Sequence, residues 1–274
     1  MCGRYVVVTK LKVIEKEFHV DISEVHERFV PTVNLCPGEY GLVITNKDPD
    51  RVQLFNFGFT PRWAKKKMYV INARSEGDHN KENDPKYRGA KGIIQKPMFR
   101  HAIRSQRCLV LADGFVEGPK EERLNKPYLI YRKDKKRPFA MAGIWDEWTN
   151  KETGEVIQSF AIITTTPNRL IQKIGHHRSP VVLSEEDEKR WLSNDLPLSD
   201  ITDMLHPFDP SDFNAYPISK DIKSPRNKDP EVLKPIGERL VKEHEYILYQ
   251  ELQLQGMGAT TSRKRRNDQM DLFD

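Results

Sequence analysis

The chain has 274 residues, 37% hydrophobic and 31% charged, with a net charge of +5 that suits an anionic partner. That is enough for one folded core with an appendage, and too polar for a membrane protein. Lys10, Lys12, Glu15, Lys16 and Glu17 break any early apolar run, which argues against secretion or membrane insertion and predicts a cytoplasmic protein.

In chain order, short β-type runs are predicted at Arg4–Val8, Leu42–Thr45, Val52–Phe57, Cys108–Leu111, Tyr128–Tyr131, Phe139–Trp145 and Phe160–Thr164. Turn-forming Asn, Asp, Gly and Pro separate many of them. Leu11, Ile14 and Phe18 recur at helical spacing, and Asn168–Ile174 reads as a short helix. Ser184 ahead of Glu185–Leu192 reads as an N-cap followed by acids in the first helical turn. This order predicts an α+β fold with a largely antiparallel sheet.

Near Asp221 the character changes. Ser224–Pro230 reads as a polar linker, and Glu231–Leu252 as a solvated helix whose first turns contain Pro235 and Gly237. From Gln255 onward the composition is disorder-prone, ending in the basic run Arg263–Arg266 and a short apolar peptide. The expected parsing is a globular domain over 1–220, a linker and helical extension over 221–254, and a disordered basic tail over 255–274.

Cys2, Cys36 and Cys108 form no CxxC pair and no disulfide framework, which fits a reducing compartment and gives no zinc site. No phosphate-cradling GxxxxGK loop is present, and no cofactor or metal is expected. Cys2 itself stands out. Removal of Met1 turns it into a terminus carrying an amine and a thiol on adjacent carbons, with free pKa values of about 7.7–8.0 and about 8.5. Such a pair suits aldehydes: the amine condenses to a Schiff base, and the sulfur closes a five-membered thiazolidine.

Four segments read together with that cysteine. They are Met1-Cys2-Gly3-Arg4-Tyr5; Gly58-Phe59-Thr60-Pro61-Arg62-Trp63-Ala64 with Ile71-Asn72-Ala73-Arg74-Ser75-Glu76; Phe99-Arg100 with Arg107-Cys108-Leu109 and Asp113-Gly114-Phe115-Val116-Glu117; and His176-His177-Arg178-Ser179-Pro180-Val181-Val182-Leu183. In order and spacing they closely resemble the SOS-response-associated peptidase (SRAP) family, over roughly residues 1–217. The resemblance implies a single cysteine-initiated α+β domain with a barrel-like β core and peripheral helices. It also implies binding of single-stranded DNA and covalent capture of abasic sites, whose opened sugar presents an aldehyde.

Carried over by position, the resemblance makes Cys2 the nucleophile and sets Asn72 beside it to orient the amine or the sugar. Glu117 becomes the active-site acid, and His176 the proton shuttle. Outside the motif, Asn72 reads as a turn residue and Glu117 as a solvated carboxylate. Arg4 and Arg74 would bind phosphates flanking the lesion, with Arg62, Arg100, Arg104 and Arg107 extending the basic track. Trp63 would stack on a neighbouring base or pack in the core; Trp145, Trp148 and Trp191 are assigned to structure. Three departures stand out: His177, where the family more often has an acid, and Val116 and Gly118, where Tyr and Trp are usual.

The last residues, Gln269, Met270, Asp271, Leu272, Phe273 and Asp274, resemble the peptide by which bacterial proteins bind the replicative sliding clamp, with Leu272 and Phe273 as apolar anchors. The expected function is therefore capture of abasic sites in single-stranded DNA at replication forks. Two rival readings fit the same residues: a thiol-dependent (auto)peptidase with His176 as base, and a non-covalent single-strand-binding scaffold recruited to the clamp.

Overall fold

Six consecutive residues, Arg107–Ala112, are all buried, as expected of a strand covered on both faces. The structure, a computed structural model that describes residues 2–134 and 138–243, places that strand in a closed ring. Strands β1–β4 are Tyr5–Val7, Thr32–Leu35, Tyr40–Thr45 and Val52–Phe57; β5–β8 are Asn72–Arg74, Arg107–Ala112, Gly114–Glu117 and Tyr128–Arg132. Strands β9–β12 are Phe139–Thr149, Val156–Thr165, Ser179–Pro180 and Phe213–Pro217. Helices α1–α5 are Leu11–Phe18, Ala102–Ser105, Arg169–Ile174, Glu185–Leu192 and Leu198–Asp203.

The ring runs β10-β4-β3-β6-β9 and closes back on β10. Only its β10–β4 junction is parallel. Closure removes the exposed edges that an open sheet would have to protect. A second sheet, β12-β8-β7-β1-β2, is antiparallel throughout. This is the α+β, largely antiparallel and barrel-like architecture that the sequence predicts. Phe57 stacks on Phe160 with ring centroids 5.2 Å apart, and Tyr5 meets Phe57 edge-on at 5.6 Å. Trp145, Trp148 and Trp191 are all buried, and each indole N–H donates inward: to Asn46 Oδ1, Ala64 O and Cys108 O respectively.

Strand β10 is long enough to serve two neighbours on one side. Ser159 and Phe160 pair with β4, which stops at Phe57; Ile162, Ile163 and Thr164 pair in parallel with β5. The three-residue strand β5 exists because β10 continues past the end of β4. That register fixes where Asn72 and Arg74 project. Strand β1 is equally constrained, lying between β2 and β7 within its sheet. Its pairing with β7 sets Tyr5 opposite Phe115 and Val6 opposite Gly114, and Val116 N–H donates to Arg4 O. The residues just before β1 are thereby held against the end of β7. The predicted helix signals appear as capping bonds: Asn168 accepts from Ile171 N–H, and Ser184 from Asp187 N–H.

The structure corrects two sequence expectations. The compact body does not end at 220 but continues through Glu238. Ile218, Ile222 and Val232 are buried in one cluster with Val6, Val33, Val116 and Leu129. Asn34 Nδ2 donates to the carbonyls of Ile222, Ser224 and Asn227. The expected linker is a strap built of 3₁₀ turns at Lys220–Lys223 and Pro230–Leu233, and no α-helix begins at Glu231. Beyond it, a separate unit begins at Arg239, whose described residues carry an Arg239–Glu243 ion pair at 3.4 Å. The tail peptide Gln269–Phe273 lies outside the described residues.

Arg107 is the second correction. Its side chain is fully buried, and its guanidinium donates to the carbonyls of Trp191, Ile103, Arg104 and Ser193. It ties β6 to α2 and to the end of α4, and it has no face open to DNA. Arg107→Ala should cost about 2–3 kcal/mol, because it strands buried carbonyls. Urea unfolding would report the loss, while DNA affinity of the folded fraction should stay unchanged.

Candidate active site at the N-terminal strand

Cys2 stands three residues before β1 and is buried, with 1% exposure. Asn72 Nδ2 donates to Cys2 O at 3.0 Å, fixing the start of the chain to β5. Burial, and then the neighbouring Glu117 carboxylate, push the Cys2 thiol well above its ordinary range. The sulfur therefore rests as S–H, and a base must take its proton before it can act as a thiolate.

Glu117 ends β7 and is also buried. His176 reaches it from the other side. Helix α3 stops at Gly175, whose φ of +82° is a left-handed conformation that glycine adopts without strain, and the chain turns there to deliver the histidine. His176 Nδ1 lies 2.7 Å from Gly118 O, which only accepts, so Nδ1 carries the proton. Nε2 is left facing Glu117 Oε2 at 3.4 Å. Burial raises the Glu117 carboxyl to about 7. Burial lowers His176 to about 4, against the hydrogen bond to Gly118 O. Both directions favour a neutral carboxylic acid beside a neutral imidazole, with one proton available between them. Asn72, Cys2, Glu117 and His176, distant in sequence, converge on one site.

A cationic cluster adjoins them. Arg74 on β5 and Arg178 just before β11 flank Thr164 of β10, and both turn toward buried Glu76. Arg178 Nη2 donates to Glu76 Oε2 at 2.8 Å and to Thr164 Oγ1 at 3.2 Å; Arg74 Nε is 3.7 Å from the same carboxylate oxygen. Burial acts to raise the Glu76 carboxyl, but the hydrogen bond and charge of Arg178 prevail and hold it below the ordinary range. Two guanidiniums against one carboxylate leave positive charge uncompensated. Arg74 Nε and Nη2, Arg178 Nη1 and Ser75 Oγ are buried without a hydrogen-bond partner, as is the acceptor Asn72 Oδ1. Unmet donors beside a cationic pair are what an anion-binding site offers its ligand. Arg178 carries no role in the sequence reading, although it lies inside the His176–Leu183 segment; its pairing with Glu76 is invisible without the fold.

The other expected DNA contacts are dispersed. Arg4 is half-buried and turned inward, donating to Asn34 Oδ1 at 2.8 Å, Cys36 Sγ at 2.9 Å and Lys223 O at 2.6 Å. It locks β1 to β2 and to the C-terminal strap. Arg62 is exposed, yet its Nε pairs with buried Asp146 at 3.0 Å. Arg100 and Arg104 are exposed, the latter donating to Ile94 O. Trp63 is 59% exposed, which rules out core packing for it.

The three departures from the family pattern find physical reasons. Val116 sits in the apolar cluster with Val6 and Leu129, so this position packs the interior and stacks on no base. Gly118 leaves no room for a side chain, because a Cβ there would run into the carbonyls of Arg123 and Lys126 as the following loop folds back. His177 stacks on His176 with centroids 4.8 Å apart, and its Nδ1 is buried without a hydrogen-bond partner. Burial first, then the His176 charge, lower its pKa to about 4. Among the described residues, no group of three or more His, Cys, Asp or Glu is placed to hold a metal ion, and no helix is long and apolar enough to cross a membrane.

Fold and site together define a small α+β protein in which Cys2, Asn72, Glu117 and His176 are brought together beside a cationic cluster. The family described as "SOS response associated peptidase (SRAP)" matches residues 1–225, and the chain belongs to that family. It is similar to the abasic site processing protein YoqW of Bacillus subtilis, at 31% identity over 85% of this chain and 99% of that protein. The abasic site processing protein HMCES of Xenopus tropicalis is 29% identical over 77% of this chain and 68% of that one. A crystal structure of a Bacteroides thetaiotaomicron protein superposes with a TM-score of 0.72 at 30% identity, covering 86% of this chain and all of the other.

Proposed function

We propose that this protein captures abasic sites in single-stranded DNA through a thiazolidine formed by Cys2 after Met1 is removed. One observation carries the reading: Cys2 is buried where Asn72, Glu117 and His176 converge, next to a cationic cluster with unmet donors. The names of the relatives agree with the chemistry.

The reaction balances without a co-reactant. The free Cys2 amine attacks the sugar's aldehyde carbon, and the resulting carbinolamine loses its hydroxyl as water to give an imine. Glu117 in its neutral form donates the proton that makes the hydroxyl leave. The thiol then adds across the C=N bond, sulfur to carbon and hydrogen to nitrogen, with His176 Nε2 and Glu117 relaying the proton. One water is released overall, and the aldehyde carbon ends bonded to both nitrogen and sulfur. Asn72, fixed by its bond to Cys2 O, offers Oδ1 to the attacking amine or a sugar hydroxyl. Arg74 and Arg178 hold the adjoining phosphate by charge-assisted hydrogen bonds.

Mixing the protein with a single-stranded oligonucleotide bearing one abasic site should give a heat-stable adduct whose mass equals the sum of the two partners less one water. Peptide mapping should place the bond on Cys2, and a bond on any other residue would refute the proposal. For the phosphate pair, Arg74→Gln should weaken binding for all sequences alike. It should also flatten the log–log salt dependence by about 0.7 for each phosphate that the variant no longer neutralises. An unchanged slope would remove Arg74 from the phosphate site.

A further inference from the structure

Lys86, Arg88, Arg169 and His206 line a cavity of about 710 Å³ that takes no part in the chemistry above, and all four are exposed. Ligand pockets typically enclose about 300–1,000 Å³. Pro167 and Phe208 contribute apolar surface beside the charges. Among the described residues, Lys86, Arg88 and Arg169 have no carboxylate partner, and Arg88 donates instead to the carbonyls of Pro85 and Tyr87. Asp209 also lines the cavity, but its Oδ1 accepts from Ser211 N–H at 2.8 Å. Three fixed cations therefore face one carboxylate that is already engaged.

Both sides of the cavity lead back to Glu76. On one side, Pro167 and Asn168 follow Thr165, whose hydroxyl donates to Glu76 Oε1 at 3.3 Å. On the other, the chain runs from Arg88 to Gly92, where a Cβ would stand only 2.6 Å from Glu76 O. Ile93 N–H then donates to Ser75 O, which fixes that segment to the cationic cluster. Lys91 is half-buried between the two groups of charge. Burial draws its amine below the ordinary range, opposed by Glu76 and Asp203 and reinforced by Arg88 and Arg178. Asn168 Nδ2 donates to Phe208 O, pinning the start of α3 to the cavity while its other end leads into His176. Positive charge thus continues from Arg74 and Arg178, through Lys91, to Arg88 and Arg169.

We propose that this cavity is a second phosphodiester-binding site, which takes the single strand as it leaves the captured sugar past Arg178. Arg169 is four residues beyond Thr165, at most about 14 Å along the chain, so a few nucleotides span the two clusters. Cations that track a path, with apolar surface for a sugar or base beside them, suit a strand of regularly spaced charge. The inference rests on the single-strand reading above, and it concerns binding, not bond formation.

The experiment uses the full chain and oligonucleotides carrying a tetrahydrofuran residue, which lacks the aldehyde and so reports affinity without crosslinking. The flanks are lengthened one nucleotide at a time, first on one side of that residue and then on the other. At 0.1 M salt, each phosphate that reaches the cavity should tighten binding about 5-fold relative to 1 M salt, from a log–log slope of about 0.7 per phosphate. Arg88→Glu with Arg169→Glu should abolish that gain on one side only, and leave the shortest oligonucleotide bound as by the wild type. Lys86→Glu with Arg169→Glu should do the same while keeping the Arg88 turn, and unchanged urea midpoints separate both results from misfolding. Affinity independent of flank length, a gain that the variants retain, or a deficit already present in the shortest oligonucleotide overturns the inference. If the wild type forms no adduct with a true abasic site but the one-sided gain and its loss are both seen, the covalent chemistry falls and the second site stands.

Discussion

Cys2→Ala is expected to reduce the heat-stable adduct with abasic single-stranded DNA to background. A retained methionine or any tag ahead of Cys2 should do the same by converting its amine to an amide. Intact mass of the protein before reaction identifies which terminus is present. Cys2→Ser separates the two steps: it keeps the amine and loses the sulfur, so an imine should form and be captured by borohydride, while no adduct should survive heating without it. Ordinary adduct yield from Cys2→Ala would exclude the mechanism. Cleavage of an unrelated peptide by the wild type, lost in Cys2→Ser, would favour the peptidase reading instead.

Glu117→Gln should slow adduct formation about 10²- to 10⁴-fold, the usual range for loss of a general acid. Its pH dependence should also change. The acid form of Glu117 is lost as pH rises through about 7, so the wild-type rate should fall there and the Gln variant should lack that limb. Stability provides an independent readout. A carboxyl raised to about 7 by burial stabilises the fold least at high pH: its contribution is lost as pH rises from its unfolded value of about 4.3 through 7. His176 and His177, lowered to about 4, act oppositely, and their contribution is lost as pH falls from about 6.5 through 4. Glu117→Gln should therefore steepen acid destabilisation between about pH 6.5 and 4, and His176→Asn should flatten it. Urea midpoints across that window test both signs; a Gln variant less sensitive to acid than the wild type would show that Glu117 is ionised throughout.

Much of the β framework is legible in the sequence because β-branched and aromatic residues concentrate in its strands. Val52–Phe57 is found with the predicted bounds, and the runs at Cys108, Tyr128, Phe139 and Phe160 grow by a few residues at their ends. Asn72–Arg74 escapes such reasoning because it is short, polar and a strand only by virtue of the length of β10. The strap over 218–238 reads as a linker because its proline and polar content is real. Its three buried anchors, Ile218, Ile222 and Val232, are too widely spaced to register as an element. The four converging residues are indicated by motif order, whereas the charge balance around Glu76 is not. Arg107 and Arg178 show why: an arginine is the same letter whether it braces carbonyls in a core or pairs with a buried carboxylate.

The position of β1 bears on the state that the proposed capture would leave. Cys2 runs into a strand paired on both sides, so its segment cannot peel from the fold unless both neighbours part with it. A DNA strand joined there would be bolted to backbone that opens only with the sheet around it. Resistance of such a conjugate's first residues to proteases should track global unfolding, not local fraying.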